Sequence, residues 1–128
     1  MTPTDLITHL RASNLFDGWA FTDWRDDASY PFSNDMNVCL IRIQGGNQDK
    51  DIGQVGVDIY LHTKKNATNS DRGALVTLAE SLDGYLITST EFENVQHIEV
   101  NSSYAGPFKD GQDRYLTAHR ITLRRSGV

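Results

Sequence analysis

The stretch that decides the fold runs from Gln54 to Leu86 and reads QVGVDIYLHTKKNATNSDRGALVTLAESLDGYL. Apolar residues occupy every second position of its first part, at Val55, Val57, Ile59 and Leu61. This period of two predicts a β-strand with one buried face. A hydrophilic loop follows, and leucines then recur at steps of three and four, at Leu75, Leu78, Leu82 and Leu86. Such steps predict an amphipathic helix. Ser70 is its expected N-cap, with Asp71 near the positive end of the helix dipole.

Two further elements are predicted near the N-terminus. Leu6, Ile7 and Leu10 form an apolar stripe, so a first helix is expected from Thr2 or Thr4 to about residue 14. The segment 19–24 alternates aromatic residues with small or polar ones, which predicts a short strand.

The segment from Asn37 to Gln44 predicts a strand that is apolar on both sides. Cys39, Ile41 and Ile43 would share one face, and Val38, Leu40 and Arg42 would share the other. Apolar residues on both faces indicate an interior strand, or one whose second face meets a neighbouring subunit. The loop Gly45–Asp51 would join it to the strand at residue 54 as a long hairpin.

The C-terminal part predicts a second hairpin, from strands Val95–Tyr104 and Arg114–Arg124. Its tip carries a Gly-Pro and an Asp-Gly, both typical of turns. If the pairing is symmetric about Phe108, Ile98 and Val100 share a face with Leu116 and Ala118, while Val95 shares the other with Tyr115 and Ile121. Neither face is then cleanly polar. One face would hold the helices, and the other would meet a partner, most simply another copy.

These elements predict one α+β domain over residues 1–128, with an antiparallel sheet of four to five strands and two helices packed on one face. The chain has 38% apolar and 23% charged residues, which is typical of a globular domain. Its start has neither the basic nor the apolar region of a signal peptide, and no apolar run is long enough to predict a transmembrane span.

Charge is unevenly distributed along the chain. The formal net charge of −5 disfavours general nucleic-acid binding, because phosphate contacts need clustered Lys and Arg. Residues 1–36 are mainly acidic, and residues 109–125 are mainly basic. The simpler interpretation is two ordinary solvated regions. The alternative is that the acidic surface of one subunit meets the basic surface of the next, in a head-to-tail assembly.

No motif predicts catalysis or a cofactor, so the chain is not expected to be an enzyme. Cys39 lies in an apolar run, which favours a buried small side chain over a nucleophile. A symmetric hairpin would place His97 opposite His119, with Glu99 on the same face, and two imidazoles with a carboxylate can bind zinc. That possibility depends on an assumed register, because a slip of one residue separates the set. We therefore predict no metal ligands.

The order of the predicted elements resembles a known family. An N-terminal helix, a strand pair, a polar loop leading into the helix at residues 70–86 and a closing hairpin are similar to the tail terminator (minor tail, tail completion) proteins of long-tailed bacteriophages and prophages. The resemblance implies a structural virion protein. Such a protein would form a hexameric ring that caps the tail tube, ends tube polymerisation and provides the docking surface for the head and neck.

The resemblance also implies partners and a location. The expected partners are further copies of the chain, the tail tube protein and a head-completion or neck protein, with no membrane and no sequence-specific nucleic acid. The protein would reside in the virion tail, after assembly in the host bacterial cytoplasm. Two alternatives stay open: another neck component, such as a head-closure or head–tail adaptor protein, or a small acidic bacterial interaction module.

Contact surfaces are expected in the loops Gly45–Asp51 and Thr63–Asn69, at the hairpin tip Gly106–Asp113, and on the basic C-terminal strand. The predicted interface residues are Lys50, Asp51, Lys64, Lys65, Lys109, Asp110, Arg114, Arg120 and Arg124.

Overall fold

Two helices and six strands follow one another in the part of the chain that the computed structural model describes, which comprises residues 3–23, 36–43, 54–88, 95–100, 104–109 and 114–125. In chain order they are α1 (Pro3–Arg11), β1 (Ala20–Asp23), β2 (Val38–Ile43), β3 (Gln54–His62), α2 (Asn69–Thr88), β4 (Val95–Val100), β5 (Ala105–Lys109) and β6 (Tyr115–Arg125). The predicted strand–loop–helix unit is therefore present as β3 and α2. The predicted contact loop Gly45–Asp51 lies outside the described residues.

The strands form one sheet in the order β1–β2–β3–β6–β4, with β5 also paired to β6. β4 pairs with the last part of β6 and β5 with its first part, so β4 and β5 share one edge of β6. The α+β class and the five-strand width agree with the prediction. The sheet is mixed, however, because β1 runs parallel to β2. The 14 residues between these strands allow a crossover, which a parallel pair requires.

The predicted register of the C-terminal hairpin is wrong. Ile98 pairs with Leu123 and Val100 pairs with Ile121, so these two β4 positions share a face with Ile121 and Leu123. The predicted tip contains β5, in which Phe108 pairs with Leu116. Relative to the assumed pairing of Ile98 with Ala118, β4 is displaced by five positions along β6, and an odd displacement exchanges the faces.

Both helices cover the same face of the sheet, which we call the inner face. Leucines of α1 and α2 pack there against alternate residues of β2, β3 and β6. The buried core consists of Leu6, Leu10, Phe16, Cys39, Ile41, Val57, Ile59, Leu61, Leu75, Ala79, Leu82, Leu86, Ile121 and Leu123. Cys39 is buried as predicted, and this burial raises the pKa of its thiol, which keeps it protonated.

Helix α2 begins with a reciprocal cap, in which Thr68 and not Ser70 is the N-cap. The amide of Asp71 donates to Thr68 Oγ1 at 3.2 Å, and the amide of Thr68 donates to Asp71 Oδ2 at 2.8 Å. The bond from the Thr68 amide to the Asp71 carboxylate is the main cause that lowers the pKa of Asp71. Ala79 joins the predicted leucines on the buried stripe, while Leu78 packs at its margin. Of the helices in the described residues, neither has the length and hydropathy needed to cross a membrane.

Candidate functional site

The candidate functional surface is the sheet face turned away from α1 and α2, which we call the outer face. The strand registers place its members in rows across β2, β3 and β6. It consists of Val38, Leu40, Arg42, Asp58, Tyr60, His62, Leu116, Ala118, Arg120 and Thr122. Because the described helices lie on the inner face, neither helix covers these side chains.

One half of the outer face is mainly apolar, with His62 as its polar member and Val38 fully buried. Leu40, Tyr60 and Ala118 form a single row across three strands, and each is partly exposed. Leu116 lies in the next row on β6 and is also partly exposed. The solvent face of an antiparallel sheet normally carries polar side chains. This half of the outer face therefore has the composition of a contact surface.

Phe108 extends the apolar half at the margin of the sheet. It pairs with Leu116 and is 54% exposed, the highest value for a large apolar side chain among the described residues. Its position depends on Gly106, which has a φ of +109° and precedes a cis peptide bond to Pro107. A Cβ atom on Gly106 would lie 2.7 Å from the carbonyl oxygen of Leu116. Glycine therefore lets β5 approach β6 closely, and Phe108 follows on the exposed edge.

The edge formed by β5 is poorly suited to strand addition. Pro107 has no amide hydrogen to donate, and the register is irregular between Ala105 and Phe108. Lys109, at the end of the strand, is exposed. These features discourage edge-to-edge pairing, so a partner at this margin would contact side chains of the outer face.

The other half of the outer face carries two arginines around one buried carboxylate. Arg42, Asp58 and Arg120 occupy one row, and Asp58 is only 3% exposed. Arg120 Nε donates to Asp58 Oδ1 at 3.0 Å, which raises the pKa of Arg120, while its side chain stays 65% exposed. Burial, and secondarily Asp58, raises the pKa of Tyr60 in the next row. With both arginines charged and one carboxylate, this row carries net positive charge.

No protein-family model matches this sequence, and the search of curated proteins found no match.

Several predicted interface residues come together at one end of the sheet. The amide of Tyr115 donates to Thr63 Oγ1, and the amide of Thr63 donates to the carbonyl of Tyr115, each at 2.9 Å. This pairing joins the end of β3 to the start of β6. Lys64 and Lys65 come after Thr63 at the end of β3, and Lys109 pairs with Tyr115. We call Lys64, Lys65 and Lys109 the basic end.

Arg114, another predicted interface residue, is buried at the base of the basic end. Its Nη1 donates to the carbonyl of Thr63 at 2.9 Å and lies 3.5 Å from the carbonyl of Met36. The guanidinium therefore binds the β3–α2 connection to the sheet from inside the protomer. A charged residue before a strand gives no signal of this role, because its acceptors are backbone carbonyls distant in sequence.

The other predicted interface residues are separate from this end. Arg120 belongs to the arginine row of the outer face. Arg124 pairs with Gln54 near the opposite end of β6. Lys50, Asp51 and Asp110 lie outside the described residues. The predicted interface residues do not include Leu40, Tyr60 or Phe108, although Phe108 lies in the predicted contact tip Gly106–Asp113 and Leu40 lies on the second apolar face predicted for β2.

The register considered for a histidine pair is wrong. His97 pairs with Arg124 and not with His119. His119 faces inward, and its Nδ1 lies 2.8 Å from Asp83 Oδ1 on α2. Across the described ranges, no group of three or more His, Cys, Asp and Glu residues is placed to hold a metal ion.

A buried polar cluster around His119 links α2 to β6. Thr117 Oγ1 lies 3.3 Å from His119 Nε2, and the amide of Tyr104 donates to Asp83 Oδ2 at 3.3 Å. The order Thr117–His119–Asp83 matches that of nucleophile, base and orienting acid. Thr117 and His119 are 0% and 2% exposed, however, so a substrate cannot reach them. Burial lowers the pKa of His119, against the opposing effect of Asp83. The cluster is a structural anchor.

The sequence carried one signal of this anchor. Asp83 follows Ala79 by four residues, so it lies beside the buried stripe of α2. A carboxylate at such a position needs a polar partner. The periodicity of β6 places Thr117, His119 and Ile121 on one face, but it could not show that α2 crosses that face at His119.

Proposed function

We propose that this protein is a structural tail protein of a long-tailed bacteriophage or prophage, similar in role to the tail terminators. Six copies form a ring on the last ring of the tail tube, end tube polymerisation and provide the surface to which the head-side neck docks. The protein acts in the virion tail and is assembled in the host cytoplasm.

The observation that carries this proposal is the outer face. An apolar row beside an arginine row, with the exposed Phe108 at the margin, suits a persistent protein–protein contact. The order α1, β2, β3, polar loop, α2, β4 and β6 corresponds to the order on which the resemblance to tail terminators rests, and β1 and β5 are additional strands.

The two candidate surfaces suit different contacts of such a ring. The outer face is broad and partly apolar, which is typical of contacts between subunits. The basic end is formed by a loop and strand termini and carries exposed Lys65 and Lys109. A charged surface of this kind steers and orients an acidic partner. We assign the outer face to neighbouring subunits and the basic end to the tube or the neck.

The proposal is tested by tube capping. Purified protein is added to polymerising tail tube subunits encoded in the same genome, and tube lengths and end caps are measured by electron microscopy. We expect shorter tubes with a ring at one end. Tubes that grow to the same length and stay uncapped would contradict the proposal.

A charge-reversal variant tests, in the same assay, whether the basic end contacts the tube or the neck. Combined exchange of Lys64, Lys65 and Lys109 to Glu should abolish either capping or binding of the neck protein, while leaving self-association unchanged. Asp17→Lys is the matched control, because Asp17 is exposed in the link between α1 and β1. If the lysine variant caps tubes and binds the neck like the wild type, the basic end contacts neither the tube nor the neck.

A further inference from the structure

The side of α2 that faces away from the sheet has a composition complementary to the outer face. The exposed residues of α2 are Asn69, Ser70, Arg72, Gly73, Ala74, Thr77, Glu80, Ser81 and Gly84. A methyl group added at Gly73 or Gly84 would have nothing within 4 Å. The small side chains make this side of the helix flat. An exposed glycine inside a helix costs about 1 kcal/mol relative to alanine, so the glycines do not stabilise the helix itself.

Charge distinguishes the two surfaces. Helix α2 as a whole carries Asp71, Glu80 and Asp83 against Arg72 and is net acidic, and the charged residues of its exposed side are Arg72 and Glu80. Asp83 is bound to His119 on the inner side, which leaves Glu80 as the exposed carboxylate in the middle of the helix, where its Oε1 accepts a hydrogen bond from Tyr104 Oη at 3.5 Å. The outer face instead presents exposed Arg42 and Arg120. A carboxylate on a smooth helix surface thus matches arginines beside an apolar row.

The spacings of the two surfaces also agree. Gly73 lies roughly 10 Å from Glu80 along the helix, at 1.5 Å per residue. On β6, Ala118 and Leu116 lie roughly 7 and 14 Å from Arg120, at 3.4 Å per residue. If Glu80 meets Arg120, the small residues at 73 and 74 therefore meet the apolar half of the outer face, close to Phe108.

We propose that the outer face of one copy receives the exposed side of α2 of a second copy, with Glu80 against Arg120 and the small residues against Phe108 and its apolar neighbours. The two surfaces differ, so the contact is heterologous and repeats head to tail. Such a contact closes into a ring when its rotation allows. The inference rests on the proposed ring and names the surfaces that join its subunits.

A charge exchange tests the contact. Self-association is measured by sedimentation velocity at low salt for the wild type, Glu80→Arg, Arg120→Glu and an equimolar mixture of the two variants. Each variant alone opposes like charges and should associate at least about tenfold more weakly. In the mixture, each variant meets the opposite charge on the other chain, so association should return. Recovery also shows that both variants are folded.

Asp17→Lys serves as the matched control and as a competing hypothesis. The same charge reversal on the link before β1 leaves the proposed contact intact, so its association should equal that of the wild type. If Asp17→Lys weakens assembly and pairs with Arg120→Glu in a mixture, the acidic N-terminal region is the partner, and the α2 contact is wrong.

Cysteine trapping gives a second measurement. A chain carrying both Thr77→Cys and Ala118→Cys should form intermolecular disulfides under a mild added oxidant, and larger oligomers should accumulate. A chain with Asp17→Cys in place of Thr77→Cys should not. Absence of cross-links from the first chain under conditions in which the wild type associates would overturn the contact.

Failure of the contact and failure of the proposed function are distinguishable. If the wild type caps tubes while the charge exchanges and cross-links have no effect, the ring uses other surfaces. If the mixture recovers association but tubes stay uncapped, the contact exists and the tail role is wrong. A wild-type protein that stays monomeric both alone and on tubes overturns both.

Discussion

Replacing Gly106 by alanine tests how closely β5 is held against β6. The backbone at Gly106 has a φ of +109°, which side-chain-bearing residues rarely adopt, and strain of this kind costs about 1–3 kcal/mol. The new Cβ would also lie 2.7 Å from the Leu116 carbonyl oxygen. That oxygen belongs to the backbone of β6 and cannot move aside alone, so displacement of β5 adds about 1–3 kcal/mol.

We therefore expect Gly106→Ala to lower the free energy of unfolding by about 2–6 kcal/mol. Urea unfolding followed by circular dichroism measures this loss. Total stabilities of small domains are about 5–15 kcal/mol, so a loss of this size can leave the variant partly unfolded without urea. The shift of the urea midpoint from that of the wild type gives the size of the effect.

Two other glycines separate the two causes. Gly18 has a φ of +80° but open space around a Cβ, so Gly18→Ala should cost strain alone, about 1–2 kcal/mol. Gly84 lies in α2 with open space, so Gly84→Ala should stabilise the monomer by about 1 kcal/mol. If Gly106→Ala costs no more than Gly18→Ala, the close approach of β5 to β6 is refuted, together with our account of how Phe108 is presented.

Three further predictions concern the anchors of the fold. Arg114→Met should destabilise by about 2–4 kcal/mol in urea unfolding, because buried carbonyls lose their donor; the exposed Lys65→Met is the control, and equal effects would contradict the anchor. Thr68→Ala should cost about 1 kcal/mol and Ser70→Ala close to nothing, since Thr68 makes the cap; the reverse order would restore Ser70 as the N-cap. Because the folded pKa of His119 is lowered, the unfolded chain takes up that proton first, so stability falls as pH drops below about 6.5. His119→Gln should flatten this decline in unfolding measured from pH 7 to pH 5, and an unchanged slope would show that other groups cause it.

The arrangement around α2 relates stability to the proposed assembly. The leucine stripe and the Asp83–His119 bond hold its inner side, and the Thr68 cap fixes its start. The exposed side of the helix therefore has a defined position relative to the sheet. A ring of head-to-tail contacts needs this rigidity, because a deviation in the angle between neighbouring subunits is repeated at every interface and prevents the ring from closing.

The sequence by itself determined β2, β3 and α2 and the side of each that is buried. The alternation in β3 and the steps of three and four in α2 are local properties of the chain. The same reasoning applied to β2 correctly separated Cys39 and Ile41 from Leu40 and Arg42. It also indicated that the second face of β2 is too apolar to be an ordinary solvent face.

Only the tertiary structure decided how the elements meet. Alternation within a strand does not state which residue lies opposite, and the β5 segment moved the partner of His97 from His119 to Arg124. The parallel pairing of β1 and the internal role of Arg114 likewise depend on segments distant in sequence. Local periodicity indicates which side of an element is buried. Strand register and the hydrogen-bond partners of buried polar side chains depend on packing between segments that are distant in sequence, so no single segment determines them.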